Sequence, residues 1–202
     1  MKSLRNKTDK VIRLPKPASD GGISVEAALA KRESVRHFTS VPLTPFLLSQ
    51  ILWAAQGITR DWGGRTAPSA GALYALELYL ALQDGFFHCI PRGHQLLHVS
   101  DHDFIDDLAS VALGQQCIRE SSAVVVIAAV YERIEKKYVR RGERYVKVEA
   151  GHAAQNILLQ ALSLGIGAVP VGAFHDDDVR KVLNLPSDHE PLYLIPLGHI
   201  KK

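Results

Sequence analysis

The segment from about Tyr145 to Leu164 constrains the fold more than any other. Ala150, Ala153, Ala154, Ile157, Leu158, Ala161 and Leu162 recur at helical spacing and form a broad apolar face. Most of these side chains are small, so another backbone can approach this helix closely. Gly165-Ile166-Gly167 ends it. Glu149, His152 and Asn156 stand at i, i+3 and i+7 and read as one polar stripe on the same helix. Buried polar groups need partners, so the stripe reads first as a hydrogen-bond network at an interface. His152 is also a candidate proton relay, because histidine titrates near neutrality.

A second constraint is Ala123–Val130, an unbroken apolar run of strand length. Such a strand is central and covered on both faces. Around it the pattern alternates without a tandem repeat. A helix over 24–32 begins at the N-cap Ser24, and another begins at Thr44-Pro45 and stops at Gly57. Leu76–Leu82 is strand-like, and Phe86–Ile90 with Gln95–Val99 forms a hairpin. Ser100-Asp101 caps a helix reaching about Leu113. Glu132–Arg144 is a charged segment. A short strand to Val169, a helix over 176–183 and a last strand, Leu192–Leu197, complete the order. This order predicts an α+β domain. Residues 1–22, with six basic residues and two prolines, read as an N-terminal arm, and 23–202 as one domain. The arm is either a solvated tail or a segment wrapping a partner subunit. The tail is favoured because termini are usually poorly ordered.

Several classes are excluded. A net charge of +3 is too small to argue for nucleic acid, and no basic run is interleaved with aromatics. No apolar run reaches membrane-spanning length. No apolar core follows the basic N-terminus before Pro15, so it does not read as a signal peptide, and a cytoplasmic location is expected. Cys89 and Cys117 form no C-x-x-C pair and read as reduced, partly buried thiols. There is no G-x-G-x-x-G, no P-loop and no G-x-S-x-G elbow. His88, His94 and His98 fall on one hairpin, but histidine count does not make a metal site. Glu149-x-x-His152 lacks the second motif a di-iron bundle needs.

One constellation remains. Arg32, Ser34 and Arg36 stand at i, i+2 and i+4 after the first helix. In an extended segment they point the same way. Guanidinium forks match phosphate oxygens bidentately, and a hydroxyl completes the cage. The other reading is a solvated basic helix end, where arginine favours the helix dipole. Arg32-Glu33-Ser34-Val35-Arg36-His37-Phe38 resembles the flavin-phosphate motif of the nitroreductase superfamily. Further segments resemble its SagB-type, or thiazole/oxazole oxidase-like, dehydrogenase branch: Arg65–Tyr74, Glu149–Asn156, Leu164–Gly167 running into Val171–Phe174, and Pro196-Leu197-Gly198-His199.

That resemblance implies a nitroreductase-like fold, with a central, mainly antiparallel mixed sheet flanked by helices. It implies an intertwined, obligate homodimer with two sites for flavin mononucleotide (FMN) between subunits, the long helix forming much of the interface. Arg32 and Ser34 would hold the phosphate and ribityl end, and Arg36 would lie near the pyrimidine edge. Pro68, Ser69 and Gly71 would present backbone and hydroxyl groups to that edge. Pro170, Val171 and Gly172 would cover one ring face, with a backbone N–H aimed at N5. Lys201 and Lys202 would add charge at the phosphate. Tyr145 and His152 are the catalytic candidates. Arg144-Tyr145 aligns with a Lys-Tyr pair that azoline-oxidising relatives use as base. Arginine does not give up its proton, which counts against azoline oxidation. The leading expectation is ping-pong reduction of an electron-poor acceptor, such as a nitro compound or quinone, at the expense of NAD(P)H. The alternatives are an FMN-dependent oxidase of peptide azolines and a flavin-binding protein without turnover.

Overall fold

A computed structural model describes residues 10–201. In chain order the elements are β1 (Val11–Arg13), α1 (Val25–Lys31), α2 (Pro45–Gln56), β2 (Leu76–Leu82), β3 (Gly85–Ile90), β4 (Gln95–Ser100), α3 (Ile105–Val111), α4 (Gln116–Arg119), β5 (Ala123–Ala129), α5 (Glu132–Tyr138), α6 (Gly142–Ser163), β6 (Gly167–Ala168), α7 (Asp176–Val182) and β7 (Glu190–Gly198). The strands form one seven-stranded sheet in the order β1-β4-β3-β2-β5-β7-β6. Each pairing between these strands is antiparallel. The α+β architecture expected from sequence is the one observed.

β5 explains why both faces of the sheet are covered. Ala123, Val125, Ile127 and Ala129 join a core beneath α2 and α6. Val124, Val126 and Ala128 join a second core with residues of α3, α4 and α7. Side chains alternate across a strand, so an apolar residue at every position needs a helix layer on each side. Burying a Val or Ile side chain contributes about 1.5–3 kcal/mol, which makes β5 the axis of the domain. The small-residue face of α6 does the complementary work. Ala150, Ala153, Ala154 and Ala161 are buried against α2 and the sheet.

Helix starts follow local chemistry. Ser24 Oγ accepts the Ala27 N–H at 3.2 Å, and Thr44 Oγ1 accepts the Leu47 N–H at 3.3 Å. Pro45 occupies the first turn of α2, where its missing N–H costs nothing. α3 departs from expectation. Ser100 stays in β4, and the Asp103 carboxylate accepts the Ile105 N–H at 2.9 Å, so the helix starts at Ile105. α4, a single turn, carries no periodic signal that would mark it in the sequence. The charged stretch 132–144 folds into α5, a 3₁₀ turn over Val139–Arg141 and the start of α6. Only Ile134 of α5 is buried, so the stretch shows almost no apolar periodicity to read.

The N-terminal segment, from residue 10 onward, contributes to the sheet. Val11–Arg13 pairs with Gln95–Leu97 of β4. The Ser49 hydroxyl donates to Pro15 O at 2.5 Å and lies 2.6 Å from His94 Nε2. Gln50 exchanges hydrogen bonds with the Ala18 backbone, both at 2.9 Å. A three-residue strand, soon followed by Pro15 and Pro17, is too short to show alternation in sequence.

Candidate functional site

The residues singled out from sequence fall into two groups, positioned by different means. The first begins where α1 ends. Arg32 caps the helix in a non-helical conformation, and the chain then runs without helix to Phe38. The Val35 N–H donates to Ala168 O at 3.0 Å, the Thr39 N–H to His199 O at 2.9 Å and the Lys201 N–H to His37 O at 3.1 Å. Phe38 bridges Ile200. Two glycines allow this close fit. A Cβ on Gly167 would lie 2.6 Å from Val35 Cγ1, and one on Gly198 would lie 2.8 Å from Phe38 Cβ. Glu120 steadies the segment by accepting the Phe38 N–H at 3.4 Å, with His37 Nδ1 also at 3.4 Å.

Arg32 and Ser34 are half-buried, and Arg36 and Lys201 are exposed. Among the described residues, none of these cations has a carboxylate at ion-pair distance. Three cations without counter-charge beside a hydroxyl fit a phosphate group. Lys202 lies outside the described residues.

The second group is the loop from Arg65 to Tyr74. Gly71, Ala72 and Tyr74 have φ of +63°, +55° and +51°. Non-glycine residues in this region are strained and need outside support. Side chains supply it. Ser69 Oγ accepts the Tyr74 N–H at 2.8 Å, and the Tyr74 hydroxyl accepts the Arg65 N–H at 3.1 Å. The Arg65 guanidinium lies 4.4 Å over the Tyr74 ring and donates to Gln56 Oε1 at 2.7 Å. Arg133 donates to Tyr74 O at 3.2 Å and to Glu77. Burial pushes the Glu77 carboxyl up, but hydrogen bonds from His88 and Arg133 more than reverse this and hold it at about 2.

The Ser69 hydroxyl is turned inward, 2.6 Å from Glu149 Oε2. While Glu149 is ionised, this contact takes the single Ser69 hydrogen. Pro68 and Gly71 remain exposed. The polar stripe on α6 also divides. Positions i and i+7 share nearly one line along a helix, whereas i+3 falls about 60° away. Glu149 is therefore buried, Asn156 donates to Ala54 O at 3.1 Å and Thr66 O at 3.4 Å, and His152 is exposed. Within the chain, Glu149 pairs with Ser69 and Asn156 with Ala54 and Thr66. Burial pushes Glu149 above the ordinary carboxylate range, and the Ser69 hydrogen bond and Arg65 charge offset this only in part.

Val171 is buried, and both its backbone groups pair with Leu194, at 2.8 and 3.0 Å. Pro170 has no N–H. Of the three residues expected to cover a ring face, only the exposed Gly172 is left to offer one. Tyr145 is half-buried and meets Tyr138 edge to face at 5.1 Å. Arg144 is exposed. A Lys-Tyr pair that sequence reasoning misses stands seven residues earlier. A Cβ on Gly71 would lie 2.8 Å from the Tyr138 hydroxyl and 3.0 Å from Lys137 Nζ. Its only signal in the sequence is the dipeptide itself, which Arg144-Tyr145 obscures. The hairpin histidines go to separate partners: His88 to Glu77, His94 to Ser49 and His98 to Asp101.

A seven-stranded antiparallel sheet between helix layers, with a cationic segment at its edge, defines the α+β domain. The family model described as "Nitroreductase family" matches residues 29–199, and the chain belongs to the nitroreductase family. A Methanocaldococcus jannaschii protein classed by name among the nitroreductases is 44% identical over 182 residues, 87% of this chain and 91% of that protein. The solved structure of a Ralstonia eutropha JMP134 protein of similar designation superposes with a TM-score of 0.88 at 29% identity, covering 98% of this chain and 93% of the other. The NADPH-flavin oxidoreductase of Vibrio harveyi is 25% identical over 185 residues, 87% of this chain and 65% of that protein.

Proposed function

We propose that this chain is an FMN-dependent oxidoreductase of the SagB-type branch, active in the cytoplasm as a homodimer. It would take reducing equivalents from NAD(P)H and pass them to an electron-poor small molecule such as a nitro compound or quinone. The observation that carries this reading is the edge formed by Arg32, Ser34, Arg36 and Lys201. Its cations lack counter-charges among the described residues, and its shape depends on Gly167 and Gly198. The named activity of the Vibrio harveyi relative supports the choice of cofactor and donor. When bound, the flavin supplies two-electron transfer through a single slot, which predicts ping-pong kinetics.

The residues have distinct tasks. Arg32, Ser34 and Lys201 hold the phosphate end. Arg36 places positive charge near the pyrimidine edge, which favours the reduced, anionic ring. Pro68, Gly71 and the Gly172 N–H offer close approach to the ring, and Tyr145 and His152 stand as proton donors. No hydrogen bond or ion pair joins the two groups among the described residues. Ser69 reaches α6 at Glu149, whereas Val35 anchors beyond its far end at Ala168. Fourteen helical residues rise about 21 Å, and this spread supports a site completed by a second copy.

One observation favours a second reading. Lys137-Tyr138 beside Gly71 restores the Lys-Tyr pair that Arg144 interrupts, which favours oxidation of an azoline or related peptide. The test is the visible spectrum of the purified protein, followed anaerobically as NADH or NADPH is added. A flavin band that bleaches supports the reductase. A band that persists points to the oxidase or to binding without turnover. Protein colourless after incubation with FMN defeats the reading.

A further inference from the structure

Gln56 Nε2, Arg65 Nε and Glu149 Oε1 are buried without a hydrogen-bond partner among the described residues. All three belong to the side chains that support the loop 65–74. Glu149 is the most consequential, because it is 1% exposed and is joined to Ser69 at 2.6 Å.

A serine hydroxyl has one hydrogen and two lone pairs. One lone pair of Ser69 Oγ already accepts the Tyr74 N–H. If Glu149 is ionised, the Ser69 hydrogen must go to the carboxylate and nothing is left to donate elsewhere. If Glu149 carries a proton on Oε2, the direction reverses. The carboxyl O–H donates to Ser69 Oγ, both lone pairs are filled, and the Ser69 hydrogen is released to point out of the cluster. An oxygen–oxygen distance of 2.6 Å suits either direction.

The surroundings favour the protonated form. Ser69 faces Glu149 from the loop, and the Ala75 backbone faces it from the approach to β2. Arg65 and Arg133 act on it through charge, but neither lies within ion-pair distance. Oε1 has no hydrogen bond of ordinary geometry among the described residues, and the nearby Ala75 N–H favours the charged form only weakly against burial. A carboxylate so placed keeps its full desolvation cost with few compensating bonds, whereas the neutral acid loses far less.

We propose that Glu149 is a proton-carrying positioning residue: as the neutral acid it donates to Ser69, and so makes the Ser69 hydroxyl a hydrogen-bond donor to the ligand held by the loop 65–74. That this ligand is FMN rests on the function proposed above; the proton on Glu149 does not.

The test measures FMN affinity against pH, by quenching of flavin fluorescence, in the wild type, Glu149→Gln and Ser69→Ala. Wild-type affinity should weaken about tenfold as pH rises through the Glu149 titration, the loss of one hydrogen bond. Glu149→Gln should bind tightly without this dependence, because its amide donates to Ser69 at every pH. Ser69→Ala should bind weakly throughout. A flat wild-type profile overturns the proposal, as does a dependence that survives in Glu149→Gln. Infrared spectra of flavin-free protein at neutral pH give a second, independent readout. A protonated-carboxyl band that vanishes in Glu149→Gln supports the proposal, and absence of the band overturns it whether or not FMN binds. A band in protein that binds no FMN overturns the flavin reading and the donor role of Ser69 together. If Glu149→Gln fails to fold, NMR of wild type with isotope-labelled glutamate carboxyls reads the same proton. One resonance titrating well above the others is the supporting result, and all glutamates ionised at neutral pH the overturning one.

Discussion

The segment 32–38 and the loop 65–74 are held in opposite ways. The first is fixed by its backbone, which pairs with Ala168, His199, Ile200 and Lys201 across two glycines, and its arginines have no counter-charges among the described residues. The second is fixed by side chains, among them Ser69, Tyr74, Arg65 and Arg133, which hold three positive-φ residues in place. Backbone anchoring leaves side chains for a ligand. Side-chain anchoring leaves backbone. A phosphate suits the first surface, and the edge of a planar ring suits the second.

The difference can be broken by experiment, beginning with the largest effect. Replacing both Arg32 and Arg36 by Ala should weaken FMN binding a hundredfold or more, since each charged hydrogen bond contributes about 1.5–3 kcal/mol. Thermal stability should barely move, because these side chains do not hold the segment. A double variant that loses its fold breaks the comparison.

Next comes acid sensitivity on the side-chain-held side. Glu77 is lowered from 4.5 to about 2 in the folded chain. Its stabilising contribution is therefore full above pH 4.5 and is lost as pH falls through about 2. Denaturant unfolding across that window should show a dependence of up to about 3 kcal/mol that Glu77→Gln abolishes. An unchanged dependence in the variant would refute the role of the Arg133–Glu77–His88 chain.

Gly198→Ala sharpens the other side. The added methyl meets Phe38 at 2.8 Å, and overpacking of this kind costs about 2 kcal/mol, or a fall of about 4–8 °C in the unfolding midpoint. A neutral outcome would mean the segment yields easily. The smallest effect is Tyr74→Phe, which removes the acceptor of the Arg65 N–H. It should lower stability by about 1 kcal/mol while leaving phosphate affinity, measured with inorganic phosphate as competitor, as it was.

These two modes of anchoring also explain what was legible in the sequence. β5, β2 and the β3–β4 hairpin could be read within a residue or so, because burial on one or both faces writes itself into every position. The cationic segment 32–38 stood out in the sequence because its arginines and serine lie two apart on one strand-like stretch. The inward turn of Ser69 was not, since its partner Glu149 lies 80 residues away and only the fold brings them together. α5 was obscured because a helix that buries Ile134 alone carries no stripe. Spacing alone groups His152 with Glu149 and Asn156, and the 60° between positions i and i+3 decides otherwise.

The pairing of Val11–Arg13 with β4 bears on how the chain is made and stored. This strand leaves the ribosome about eighty residues ahead of its partner, so it can pair only once β4 has been made, a non-local contact that forms slowly. Once docked, and pinned by Gln50 to Ala18, it covers a row of hydrogen-bonding groups that would otherwise template a neighbouring molecule. At the other end of the sheet, the short β6 is shielded by Val35. The stretch proposed to grip a cofactor thus doubles as a guard against edge-to-edge aggregation.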